Sequence, residues 1–254
     1  MEEKDVVYLE KKDGGIAVIY LNQPKKKNAI SAVMMDKLCG YFTELDRDDK
    51  TRVILLRGAG DNFSTGGDLS QGGPDMTIED SRKLLRRYIA AVKAIRQIGK
   101  PVIAVADGYV VGGAVSLVLA CDLVVASDKT VFIPNFCAIG IIPEMGIMAM
   151  LQQVVGAQRA KELLFFGKRF GAQEGCDMGI VNRVVKKEEL EEKALEYAQA
   201  LSAIPANSLS ITKGIMNGAA DPMVGAVMEA ESTASPFCTR TLEYKEMVAR
   251  FSKK

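Results

Sequence analysis

Histidine is absent from all 254 residues of the chain. That gap excludes Ser-His-Asp and Cys-His nucleophile systems and any metal site built on imidazole, so proton transfer falls to carboxylates, tyrosine, lysine or cysteine. Cysteine pairing is missing too: Cys39, Cys121, Cys137, Cys176 and Cys238 are odd in number and show no C-x-x-C spacing, which predicts reduced thiols and a cytoplasmic compartment. Neither sign of charge is in excess, since 33 Lys plus Arg against 32 Asp plus Glu leave +1 and no overall field toward nucleic acid or membrane. No apolar run reaches the ~18 residues needed to cross a bilayer, and the charged opening MEEKDVVYLE lacks the apolar stretch of a signal peptide. A soluble protein is expected. The phosphate loop G-x-x-x-x-G-K-[ST] does not occur, and the dinucleotide fingerprint after VILLRG fails because its third glycine falls on Phe63.

What the chain does contain is alternation. VVYLEKK and GIAVIYLN flank Asp13-Gly14-Gly15 and predict a β-hairpin. A helix follows in NAISAVMMDKLCGYFTELDRD with Ser31 as its cap, then a buried strand in RVILLRG. The order repeats with a basic amphipathic helix over 79–98, strand PVIAVADG, helix GGAVSLVLA and strands DLVVAS and TVFIP. This predicts an α/β core with helices covering its sheets. After GIVNRVV the pattern becomes wholly helical, with candidates at 188–202, 205–217, 222–234 and 239–252. The boundary between a core (1–190) and a helical tail (191–254) therefore falls near 182–192, within a length suited to one sizeable core with an appendage.

Two glycine clusters follow strands: Gly66-Gly67-Asp68, and Gly112-Gly113 in VIAVADGYVVGGAVSL. Glycine lets a backbone approach a ligand closely, and at a helix start free N–H groups point outward. Two such groups from separate loops could bind a developing oxyanion; equally, the glycines could serve only to make tight turns.

In this order, NQPKKKNAI (22–30), FSTGGDL (63–69), KPVIAVADGYVVGGAVSLVLACDLVVAS (100–127), AIGIIPEMG (138–146) and SLSITKGIMN (208–217) resemble the crotonase superfamily, the enoyl-CoA hydratase/isomerase family, over essentially the whole length. The resemblance implies a crotonase-like spiral of ββα turns, a C-terminal all-helical region mediating trimerisation, and an acyl-CoA thioester substrate. It also implies an oxyanion hole from the N–H groups of Gly67 and Gly113, within a substrate-binding segment that includes Thr65, Gly66, Asp68 and Leu69. The lysines Lys25 and Lys27 would lie near the coenzyme A phosphates, and the Thr65 carbonyl near the adenine. Such chemistry needs no metal or cofactor beyond coenzyme A as part of the substrate.

The family pattern breaks at the two glutamates by which its hydratases hold and activate water. Their positions fall on Ser116 and Phe136, and an aromatic ring neither takes nor gives a proton. Glu144 falls where double-bond-shifting members, some hydrolases and dehalogenases carry a single acid. Its flanking Ile141, Ile142, Pro143 and Met145 solvate a charge poorly, which can lift a Glu pKa from about 4.3 towards 6–7. The competing view makes Pro143 the first residue of a helix and Glu144 a first-turn acid serving the helix dipole. Ser116 can bond substrate or simply pack in its helix; Phe136 is expected to shape the acyl pocket; Asp68 and Asp122 are expected to be structural hydrogen-bonding groups.

The leading expectation is an acyl-CoA isomerase that moves a carbon–carbon double bond, with Glu144 as proton shuttle. The alternatives are an enoyl-CoA hydratase or acyl-CoA hydrolase of the same family, and a silent CoA- or RNA-binding protein. The last is suggested by the basic run 81–100, although a solvated helix face is the default for such a run and it carries no RNA motif. A homo-oligomer, trimer or dimer of trimers, is expected, with no membrane association.

Overall fold

The computed structural model of the chain describes residues 6–71 and 76–251. β1 (Val7–Lys12) and β2 (Ile16–Leu21) pair antiparallel through a turn in which Gly14 and Gly15 take φ of +77° and +76°. Only glycine adopts such angles freely. Every later strand of this sheet adds in parallel: β3 (Val53–Gly58), β4 (Val102–Ala106), then β6 (Leu123–Ser127) and β9 (Arg183–Val185). The six strands run in the order β1-β2-β3-β4-β6-β9. Because β2, β3 and β4 are covered on both faces, they read as unbroken apolar runs. Alternate residues serve two cores. Ala17, Ile19, Ile54, Leu56 and Ala104 face the larger one, while Ile16, Val18, Val53, Leu55 and Ile103 face a layer closed by Leu190, Ala194 and Ala198 of α7 (Leu190–Ser202).

A second, three-stranded sheet consists of β5 (Tyr109–Val111), β7 (Val131–Ile133) and β8 (Phe170–Gly171). Single parallel bridges, Ser64 to Val110 and Ile30 to Gly67, extend it toward the first turns of the chain. Each turn thus contributes one strand to the large sheet, one extended segment to the small sheet, and then a helix: α1 (Ala32–Arg47), α2 (Ile78–Gln97) or α3 (Gly113–Ala120). The chain is a ββα spiral. Ser31 caps α1 by accepting from the Met34 amide at 3.1 Å, and Thr77 caps α2 by accepting from the Asp80 amide at 3.0 Å. All residues of α3 except Leu119 are buried, which accounts for a composition that is apolar on every face apart from Ser116.

The C-terminal region departs from its expected form. The candidates at 205–217 and 222–234 are one helix, α8 (Ala206–Cys238), which runs through Pro222 and Pro236. Pro222 crowds the carbonyl four residues back, which belongs to Gly218, the residue type with most freedom to adjust. Packing along α2 holds the remainder: Arg96 pairs with Asp221 at 2.7 Å, Asn217 Nδ2 donates to the Arg96 carbonyl at 2.9 Å, and Arg82 and Arg86 reach Glu229 at 2.8 and 3.1 Å. With Arg87 on Asp36 and Lys83 on Glu79, five cations of the basic run, Arg82, Lys83, Arg86, Arg87 and Arg96, are paired within the chain. No described helix is long and apolar enough to cross a membrane.

Lys213 locks α8 to the sheet. Its ammonium, on a side chain only 8% exposed, lies 2.7 Å from Asp122 and donates to the Ile95 and Lys100 carbonyls at 3.0 Å each. Asp122 also accepts from the Val102 amide at 2.7 Å, the structural role expected of it. Asp122→Ala leaves a buried ammonium without its counter-charge and is predicted to destabilise the fold by about 3 kcal/mol, read from urea unfolding; a change below 1 kcal/mol would refute the lock.

Candidate active site

The two glycine loops occupy equivalent places on adjacent spiral turns, each following its small-sheet segment and leading into the next helix. They touch. A Cβ on Gly66, at φ +82°, would lie 2.5 Å from the Val111 carbonyl oxygen, so only glycine permits this approach. Ile30 takes the Gly66 carbonyl at 2.7 Å and offers its own carbonyl to the Asp68 amide at 2.8 Å, which leaves the intervening Gly67 amide facing away from Ile30. Gly113 opens α3, where a first-turn amide has no intrahelical acceptor. Among the described residues no protein acceptor takes either amide. Both glycines line one cavity of about 830 Å³, and a Cβ on Gly67 would meet nothing within 4 Å.

Glu144 lies on the wall of this cavity. The helix-start alternative is overturned: α4 (Ile147–Val155) begins three residues later with Gly146 as its cap, so Pro143 is not a first helical residue. The loop instead turns on two successive left-handed residues, Met145 at φ 63° and Gly146 at φ 78°. Ser116 Oγ donates to the Glu144 carbonyl at 2.9 Å, and the Gly146 amide donates to Glu231 Oε2 at 2.8 Å. Ser235 Oγ donates to Glu144 Oε1. Burial raises the Glu144 pKa from 4.5 to about 7, only partly opposed by the Ser235 hydrogen bond. Near neutrality the group can both accept and return a proton.

The other acid on the wall differs. Burial pushes the Asp68 carboxyl up, but the Ser70 hydroxyl and amide together with Lys26 outweigh it, so the net shift is downward and Asp68 stays ionised. Lys27, Thr65, Leu69 and Phe136 all lie on the cavity wall with it. Two expectations need correction. Lys25 is exposed and off the wall; the short 3₁₀ turn Pro24–Lys26 directs Lys26 there instead, 3.0 Å from Asp68. Ser116 is fully buried and also off the wall, because its hydroxyl is spent on the Glu144 backbone.

Four site residues escaped the sequence reading. Tyr88 of α2 lines the cavity and donates to the Ile30 carbonyl at 3.3 Å. Tyr244, from α9 (Leu242–Phe251), completes the wall, and a Cβ on Gly140 would lie 3.3 Å from its backbone. Burial and then the Glu144 charge push both phenols upward. Ser235 and Glu231 lie one helical turn apart on the buried face of α8, and two polar residues interrupting an apolar stripe were the available signal.

A spiral of ββα turns brings a pair of free backbone amides and a half-buried acid of raised pKa to one cavity, an arrangement chemically suited to negative charge developing next to a carbonyl. The chain belongs to the enoyl-CoA hydratase/isomerase family, whose model matches residues 11–254. It is 33% identical over 82% of its length to 4-chlorobenzoyl coenzyme A dehalogenase-2 of Arthrobacter sp, covering 77% of that protein. It is 29% identical over 93% of its length to 1,2-epoxyphenylacetyl-CoA isomerase of Escherichia coli (strain K12), covering 92% of it. The solved structure of enoyl-CoA hydratase from Bacillus halodurans superposes with a TM-score of 0.90 at 25% identity, over 96% of this chain and 99% of that one.

The Ser235 hydroxyl favours the ionised form of Glu144, so Ser235→Ala is predicted to raise the Glu144 pKa by about one further unit. A carboxyl ¹³C titration of glutamate-labelled protein, with the Glu144 signal assigned by its loss in Glu144→Gln, reads this directly. An unchanged or lowered midpoint would show that the hydroxyl does not govern the acid.

Proposed function

We propose that the protein is an acyl-CoA isomerase that shifts a carbon–carbon double bond, with Glu144 as the proton carrier. The observation that carries this reading is the chemistry of the cavity wall at three positions. Glu144 combines a pKa of about 7 with direct access to the cavity, while the two places where a hydratase of this family holds its water-activating acids are Phe136 and the off-wall Ser116.

With the thioester carbonyl between the Gly67 and Gly113 amides, the ionised Glu144 removes a proton from the α carbon of a β,γ-unsaturated acyl group. The electron pair passes into the carbonyl and forms a dienolate, whose oxygen draws more from the two amides than the ground-state carbonyl does. Losing one such donor typically costs about 2.7–4 kcal/mol of barrier. Glu144 then returns the proton to the γ carbon, leaving the α,β-unsaturated isomer and its own carboxylate restored. Atoms are neither gained nor lost, and the step calls for no metal or redox partner. Lys26, Lys27 and Thr65, at the exposed edge of the same wall, are the groups suited to the coenzyme A phosphates and adenine.

Glu144→Gln keeps the shape and removes the base, so isomerisation of a β,γ-unsaturated acyl-CoA and its uptake of deuterium from heavy water are predicted to fall by at least ~10². Isomerisation at the wild-type rate would remove Glu144 from the mechanism, and a product heavier by one water would replace the isomerase with a hydratase or hydrolase.

The helical region 191–254 has a second proposed role, in assembling a homo-trimer or a dimer of trimers. Support comes from Ile211, Ile215 and Met216 on the outer face of α8, which are 62%, 69% and 68% exposed. Sedimentation velocity is predicted to give a trimer or hexamer; a monomer at micromolar concentration would refute this role.

A further inference from the structure

We infer that Glu231 is a positioning residue for Glu144: through the Gly146 amide its carboxyl holds the 143–146 turn in the conformation that presents the Glu144 side chain to the cavity. This rests on the isomerase reading and deepens it.

Glu231 is wholly buried on α8 and lies off the cavity wall, so it does not reach substrate. Its Oε2 accepts from the Gly146 amide at 2.8 Å, and its Oε1 is buried without a hydrogen-bond partner among the described residues. A buried carboxyl left half satisfied is costly for the fold, so a role in stability alone explains it poorly. The turn it grips needs a restraint. Met145 is left-handed at φ 63° although it carries a side chain, a conformation that persists only when its surroundings over-determine it. The Gly146 amide also begins α4, where the helix dipole favours an acceptor.

Four residues of α8 at spacings of four, three and four meet this turn. A Cβ on Gly146 would lie 2.6 Å from Met228 Cε and 3.3 Å from Val224 Cγ1; Glu231 takes the amide, and Ser235 takes the Glu144 carboxyl. The left-handed φ of +78° favours glycine at 146, and the two polar residues then determine where the chain before it goes.

The electrostatics agree. The titratable groups acting on the pair are the two carboxyls themselves, Tyr88 from α2 and Tyr244 from α9, with Asp68 beyond Tyr88; neither carboxyl has a salt-bridge partner among the described residues. Burial first, and then the Glu144 charge, raise Glu231 to about 8 against the opposing Gly146 amide. Toward that amide Glu231 acts as an acceptor.

The test uses the full-length enzyme and two readouts: kcat and KM for the β,γ-unsaturated acyl-CoA, and the ¹³C titration of Glu144, which needs no turnover. Glu231→Ala is expected to lower kcat at least ~10-fold with KM within about threefold, and to move the Glu144 midpoint down by about a unit or more as water reaches the carboxyl. Glu231→Gln keeps an acceptor oxygen for Gly146 and is expected to rescue kcat to within about threefold and to leave the midpoint in place. Wild-type kcat and midpoint in Glu231→Ala would overturn the inference. So would Glu231→Gln being as impaired as alanine, because an exchangeable proton rather than an acceptor would then be what matters. Should the alanine variant fail to fold, Glu231→Asp, whose acceptor is withdrawn by one methylene, is read by the same two outcomes. A wild-type enzyme that moves no double bond, with the titrations behaving as stated, would sink the isomerase reading and leave the positioning role standing.

Discussion

A carboxyl group held next to an apolar cavity with no cation beside it is the constraint on which the site depends. Removed from water, Glu144 cannot remain fully ionised near neutrality, and its pKa of about 7 follows from burial with only the Ser235 hydroxyl in opposition. A lysine or arginine in the same place would hold the group as a permanent anion and a poor base, as Asp68 illustrates a short distance along the wall. The raised pKa of Glu144 therefore comes from what is withheld from it.

Holding such a group requires a rigid frame, and two helices supply one. Ser116 of α3 secures the Glu144 carbonyl, Ser235 of α8 its carboxyl, and Glu231 the amide two residues on. Those contacts tie the first part of the chain to the last. The C-terminal helices are therefore part of the same packed unit as the spiral, with Lys213 anchoring α8 beneath the sheet and Tyr244 closing the cavity. A partition of the chain into core and tail describes the change from strands to helices, but the site draws on both.

The pair of amides has a different origin. A spiral places equivalent segments of successive turns one strand spacing apart, so two glycine loops separated by some forty-six positions become neighbours without any dedicated contact between side chains. Gly66 allows the approach and Gly67 is left with open space in front of its amide. The placement of the two amides is thus a property of backbone repetition, whereas that of the acid is a property of side-chain packing. The family relatives carry names that denote dehalogenation, isomerisation and hydration.

Local and repetitive features were legible without coordinates. Unbroken apolar runs marked β2, β3 and β4, Ser31 marked the start of α1, and the missing histidine narrowed the proton carriers to carboxylate, tyrosine, lysine or cysteine before any contact was known. Glu144 was visible as an acid among apolar neighbours; whether it opened a helix or faced a cavity was not, since both outcomes share the same ten residues. Tertiary packing made that choice, as it did in fusing two expected helices into α8 and in sending Ser116 to a backbone carbonyl rather than to the cavity. By itself the chain determined which residues could be buried and which could carry a proton, because those are properties of side chains and their spacing. Only the tertiary structure decided that Glu144, Ser235 and Glu231 should meet, because their contacts join segments some ninety residues apart and no local pattern encodes such a distance.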